Sequence, residues 1–315
     1  MTADAARTLA RATLALDAHE YERAIDVLVE GSDLFRGEPE AELERLLSEA
    51  WGRMSMGDVE HALLILTRAR SLSEQPVISD LARARVLFQL GCCRLKVGMV
   101  PNAVHLLTTA LDICDRAPKT DDRLRVEILD WRVRCYRRQR EWDAARADAD
   151  AGIELAERFG NPELLANAYF QASMVAERTS DLLIARFYVE RAVTLFQEAD
   201  RQLDAGRALN NLGGILFLLG DPDEAKAKLK EAFTIALEQG QDVDAGYAVS
   251  STAQVLLRGG EPEEAERTVR YALQLLDGRC DHPNEVGNAQ LVLGRALLEQ
   301  GRFDEARQTL ADADA

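Results

Sequence analysis

The sequence predicts an all-α fold, a solenoid of about eight helix-turn-helix units, and three observations predict it. Near-copies of one phrase recur about every forty residues: GDPDEAKAKL from Gly220 to Leu229, GEPEEAERTV from Gly260 to Val269, and GRFDEARQTL from Gly301 to Leu310. No stretch alternates Val, Ile and Thr with polar residues for long enough to form a sheet. Aromatic residues make up only 6% of the chain, while Ala, Leu, Glu and Arg dominate.

Each unit carries a turn, then a large or turn-compatible residue, two further residues and an alanine. These anchor alanines are Ala24, Ala62, Ala103, Ala145, Ala185, Ala225, Ala265 and Ala306, spaced by 38 to 42 residues. A helical run precedes each anchor, such as RALNNLGGILFLLG before Asp221, and a second follows, such as EAKAKLKEAFTIALEQG. In the second helix the apolar positions fall at the anchor, four later and seven later, as in Ala62, Leu66 and Ala69 or Ala225, Leu229 and Ala232. That spacing is one face of a helix. Two antiparallel helices joined by a short turn approach most closely near that turn, so a small anchor is expected. Small residues twelve positions earlier, Ala50, Gly91, Gly213, Ala253 and Gly294, serve the first helix in the same way. Pro101, Pro222 and Pro262 fall in the turn or first turn of second helices, and Pro39, Pro76, Pro118, Pro162 and Pro283 between units, so none breaks a helix interior. Residues 1–315 read as a single repeat domain.

These features resemble the tetratricopeptide repeat family across essentially the whole chain. Leu90-Gly91, Leu212-Gly213, Leu293-Gly294, the turn Gly301-Arg302-Phe303 and the anchor alanines match the family's pattern. A period near forty, rather than thirty-four, is similar to the longer-helix variants in kinesin light chains and in bacterial peptide-sensing and maltose-regulator-type proteins. NNLG at Asn210 to Gly213 is similar to the same variants. The resemblance implies a right-handed superhelix whose concave side is lined by the first helix of each pair, with an extended peptide or partner helix held there.

Charge and motif content exclude other classes. A net charge of −16 and a pI near 4.8 repel phosphate backbones and anionic membrane surfaces, so neither nucleic acid nor membrane is an expected partner. The first sixteen residues lack an uninterrupted apolar core, and nowhere do eighteen apolar residues run together, so a cytoplasmic location is expected. The five cysteines, Cys92, Cys93, Cys114, Cys135 and Cys280, are odd in number and sit in apolar helical patterns, as buried reduced thiols do. No metal or cofactor is expected. His19, His61, His105 and His282 are scattered, and no metalloprotease, nucleophile-elbow or phosphate-loop motif occurs. Cys280, Asp281 and His282 read as an inter-repeat loop, and Asp223-Glu224 and Glu263-Glu264 as favourable charges at helix N-termini. No catalytic residue, and hence no enzyme, is expected.

Positions seven, eight, eleven, fourteen and fifteen before each anchor are expected to face the concave side. They supply Trp131, Arg134 and Arg137 in the fourth unit, Phe170, Gln171, Met174 and Arg178 in the fifth, Asn210 and Asn211 in the sixth and Gln254 in the seventh. Amides and guanidiniums aimed into one trough suit a peptide's backbone and carboxylates. Between Arg123 and Arg140 seven arginines stand against Glu127 and Asp130. This run reads either as a positive site for an acidic segment or as ion pairing of Arg132, Arg138 and Arg140 with acidic residues beyond Ala145. Trp131 and Phe170 read either as peptide platforms or as core.

The leading reading is a non-enzymatic, cytoplasmic scaffold that binds a peptide or protein segment. The alternative is the sensor portion of a bacterial transcriptional or signalling protein with its effector domain outside this chain. A phosphatase-like regulator of response regulators would need a separate N-terminal helical bundle, and the repeats begin almost at Met1. Leu291, Leu293, Leu298 and Leu310 predict an apolar face at the last repeat, covered by further chain or by a second copy in a homodimer.

Overall fold

The computed structural model describes residues 2–118, 121–276 and 283–313, and every regular element among them is helical. Sixteen α-helices are described, and they form eight hairpins. Helix α1 (Ala3–Asp17) pairs with α2 (Tyr21–Glu30), and a short 3-10 turn (Ser32–Phe35) leads on to α3 (Pro39–Ser55) and α4 (Val59–Ser73). Next come α5 (Asp80–Lys96) with α6 (Val100–Arg116), then α7 (Asp122–Gln139) with α8 (Trp142–Phe159). The later hairpins are α9 (Pro162–Arg178) with α10 (Leu182–Glu198), α11 (Gln202–Leu218) with α12 (Pro222–Glu238), α13 (Asp242–Arg258) with α14 (Pro262–Leu276), and α15 (Pro283–Glu299) with α16 (Phe303–Ala313).

Local chemistry starts and stops these helices. The side chains of Thr2, Ser79, Asp121, Asn161 and Asp221 each accept a backbone N–H from the first turn of the helix that follows, satisfying a donor that has no partner within the helix. Pro39, Pro101, Pro162 and Pro222 occupy first-turn positions, where the missing N–H is not needed. Every hairpin reverses through one residue in the left-handed region: His19, Gly57, Gly98, Arg140, Ser180, Gly220, Gly260 and Gly301. All eight lie five residues before the anchor alanine.

The anchors explain how the two helices of a hairpin meet. All eight are fully buried, at 0% exposure, and so are Leu28, Leu66, Leu107 and Leu229 four residues later. The leucine fits because the residue twelve before the anchor is small. A Cβ on Gly213 would sit 2.6 Å from Leu229 Cγ, closer than carbon atoms can approach. The two motifs are therefore halves of one contact.

Packing groups the chain into two compact units, Met1–Phe159 and Gly160–Ala315, where the sequence reads as one uninterrupted array. In the first unit the core includes Leu47, Leu66, Phe88, Leu107 and Ile128. In the second, Leu256, Val269, Leu276, Leu293 and Leu297 form a core cluster. Within each unit every helix contacts its neighbours, and the first helix of each hairpin also contacts the first helix of the next.

Cys92, Cys93, Cys114 and Cys135 are buried. Burial pushes the Cys93 and Cys114 thiols up to about 11 and Cys135 to about 12, so these groups are not thiolates at neutral pH. Cys280, Asp281 and His282 lie outside the described residues. Among the described residues no cluster of His, Cys, Asp and Glu could hold a metal, and no helix is long and apolar enough to cross a membrane. At the last repeat Leu293 and Leu297 are buried and Leu310 packs against Gly294, whereas Leu291 and Leu298 are 45% and 41% exposed.

Candidate functional site

In the first unit the sequence-predicted residues sit on α7. Trp131 is half-buried against the core, and the Arg134 guanidinium lies over its ring, 5.1 Å from the centroid. Arg134 Nε donates to Asp130 Oδ2 at 2.9 Å, but Asp130 Oδ1 is buried and has no hydrogen-bond partner. Burial pushes the Asp130 carboxyl above its ordinary range, against the pull of Arg134 and Arg137. Trp131, Arg134 and Arg137 thus bracket a carboxylate with one unused acceptor.

The other arginines of this stretch are largely engaged in structure. Arg132 forms a two-pronged pair with Asp148, Nε to Oδ2 at 2.7 Å and Nη2 to Oδ1 at 2.6 Å, and burial pushes Asp148 up in spite of it. Arg125 pairs with Asp115 at 2.7 Å, and Arg138 Nη1 donates to the Leu95 carbonyl at 2.9 Å. The ion-pairing reading therefore accounts for Arg132, while Arg138 caps a carbonyl instead of pairing with an acidic side chain.

In the second unit the predicted residues fall on α9, α11 and α13. Phe170 is half-buried and meets Phe196 edge to face, with centroids 6.4 Å apart. Gln171 is 2% exposed and is not brought to open surface. Met174 is half-buried and Arg178 exposed. Asn211 Nδ2 donates to Ser173 Oγ at 3.1 Å, and that hydroxyl donates to the Phe170 carbonyl at 2.7 Å. Beside it, Asn210 Oδ1 is buried without a partner. Gln254 is exposed and lines a cavity of 160 Å³ together with Arg258, Asn288 and Arg295.

At the offset of fourteen residues Gln171 lies inside the stack and Asn211 bonds to the preceding first helix, while Trp131 is half-buried; at the offset of fifteen Ser250 is buried as well. Sequence reasoning also passed over Arg258, Asn288 and Arg295. Arg258 and Arg295 lie seven and eleven residues before their anchors, so the register carried through the last two repeats finds them. Asn288 lies eighteen before its anchor, one turn further out than the register reached.

A family model of the tetratricopeptide repeat matches residues 165–238, and a second matches residues 252–315. Both segments are tetratricopeptide repeats. Comparison with curated proteins finds no match. Among solved structures, the chain is similar to a Rap protein complexed with competence and sporulation factor, with a TM-score of 0.74 at 17% identity, over 99% of this chain and 89% of that one. It is similar to the Rap conjugation gene regulator of the plasmid pLS20 in complex with a Phr peptide, with a TM-score of 0.67 at 13% identity, over 98% and 93%. A signal transduction ATPase with a tetratricopeptide repeat sensor from Pyrococcus horikoshii gives a TM-score of 0.67 at 13% identity, over 93% of this chain and 43% of that one. These likenesses are ones of fold.

Proposed function

We propose that this chain is a non-enzymatic, cytoplasmic scaffold that binds a peptide or protein segment along the first helices of its repeats. The observation that carries the reading is a pair of buried acceptors without donors, Asp130 Oδ1 and Asn210 Oδ1, each fifteen residues before its anchor alanine. A buried acceptor left unpaired costs roughly 1–3 kcal/mol, and the backbone N–H groups of an extended peptide are the donors such positions lack. In the first unit, Arg134 and Arg137 beside Asp130 suit an acidic residue of such a ligand. Similarity in fold to the Rap proteins complexed with competence and sporulation factor and with a Phr peptide supports a peptide as ligand. The alternative, a sensor portion acting on an effector domain outside this chain, draws support from the likeness to the sensor-bearing ATPase, of which the array spans 43%. Exposed Leu291 and Leu298 support self-association of the last repeat as a homodimer.

Affinity capture with the purified chain supplies the ligand for the test. Replacing Arg134 and Arg137 with Glu is expected to weaken an acidic ligand by about 2–5 kcal/mol in calorimetry. Reversing Lys226 or Lys228, on the second helix α12, is expected to change little. Equal losses from both sets would remove the assignment to the first helices.

A further inference from the structure

A cavity of 390 Å³ lies in the first unit between α3, α5 and α7, away from every residue assigned above. Trp51 and Phe88 form its apolar wall, their rings stacked at 6.2 Å with 24° between planes. Gln89, on the same helix as Phe88, lines it at 9% exposure, and its Oε1 has no hydrogen-bond partner. Only a donor can satisfy that oxygen.

The charges around the cavity point the same way. Its two guanidiniums are already engaged, Arg85 with Glu44 and Arg123 Nε with Glu127 Oε1 at 3.0 Å. Asp17 and Asp121 also act on Arg123. In the lining Asp121 and Glu127 stand against Arg85 and Arg123, and Glu44 and Asp17 add two negative charges outside it. Burial pushes Glu127 above the ordinary carboxylate range even with Arg123 and Arg85 acting to lower it. An anion would be repelled here, and an apolar side chain would leave Gln89 Oε1 buried and unpaired.

We infer that this cavity binds a basic side chain, an arginine or lysine of a peptide, laid against Trp51 and donating to Gln89 Oε1 and Glu127. An aromatic face attracts a cation within about 6 Å of its centroid, and a charged donor strengthens the hydrogen bonds it makes. The inference rests on the peptide reading for its occupant, while the preference for a cation stands on the lining residues together with Glu44 and Asp17 beside them.

The test follows the indole N–H of Trp51 by two-dimensional NMR in the full chain, assigned with Trp51→Phe. The titrants are a blocked Gly-Arg-Gly peptide, its Gly-Glu-Gly counterpart and spermidine. The arginine peptide is expected to give a saturable shift and the glutamate peptide none. Gln89→Leu and Glu127→Gln should each weaken the response at least tenfold, with Gln89→Leu holding or raising the thermal midpoint because an unpaired acceptor is gone. If Gln89→Leu does not fold, Glu127→Gln carries the test. The response should persist in the Arg134→Glu/Arg137→Glu chain, whose loss of an acidic ligand tests the other site separately. No saturable shift with the arginine peptide, equal shifts from both peptides, or a response to spermidine alone would overturn the inference.

Discussion

Asp130 stands under opposed demands: Arg134 holds one of its oxygens, and burial penalises the charge on both. Because its folded-state pKa is raised, the folded chain holds this proton more tightly than the unfolded chain. The stabilisation is full below the unfolded value, about 3.9, and is lost as pH rises through the folded one. Asp130→Asn, neutral throughout, is therefore expected to be more stable than the parent near neutral pH, with the advantage shrinking as pH falls toward that unfolded value. Thermal midpoints measured across this range check it, and a constant difference would place the shift elsewhere. At this scale the sequence was only half legible. The arginine run beside Asp130 is visible in the letters, and so are the register positions of Arg134 and Arg178. The unpaired oxygens of Gln89, Asp130 and Asn210 are not, because an acceptor is orphaned only by what packs around it.

The hairpin is the element that repeats, its turn set by one left-handed residue and its crossing by the small residue twelve before the anchor and the leucine four after it. An L residue in the left-handed conformation costs about 1–2 kcal/mol relative to glycine, which five of the eight turns use and His19, Arg140 and Ser180 do not. Arg140→Gly and Ser180→Gly are expected to stabilise the chain by about 0.5–1 kcal/mol each, less than the full strain because glycine also frees the unfolded chain. Gly213→Ala is expected to cost about 1–3 kcal/mol, since the added methyl meets Leu229. Urea denaturation distinguishes the two signs. All eight turns were readable from their anchors, whereas the left-handed conformation of Arg140 and Ser180 was not. Their conformation follows from a place five residues before an alanine and runs against the preference of either side chain.

For the whole molecule, the homodimer proposed through the last repeat makes a direct demand on Leu298. Light scattering coupled to size exclusion should give twice the chain mass for the parent and a single chain mass for Leu298→Lys, and a single mass for both would remove the homodimer. The repeat count and the pairing of the helices were legible from the spacing of eight alanines. The grouping into Met1–Phe159 and Gly160–Ala315 was not, because the same anchor spacing runs across the boundary between them.

The restriction of each helix to its neighbour and the next but one has a kinetic side. Every packing contact inside a unit closes a loop of no more than about two repeats, so the chain entropy surrendered before the first contact forms is small and nearly the same wherever folding begins. No single hairpin has to act as the nucleus. Order can start at any of several hairpins and spread to both sides, which makes a damaged repeat a local interruption to folding and leaves the rest of its unit able to form.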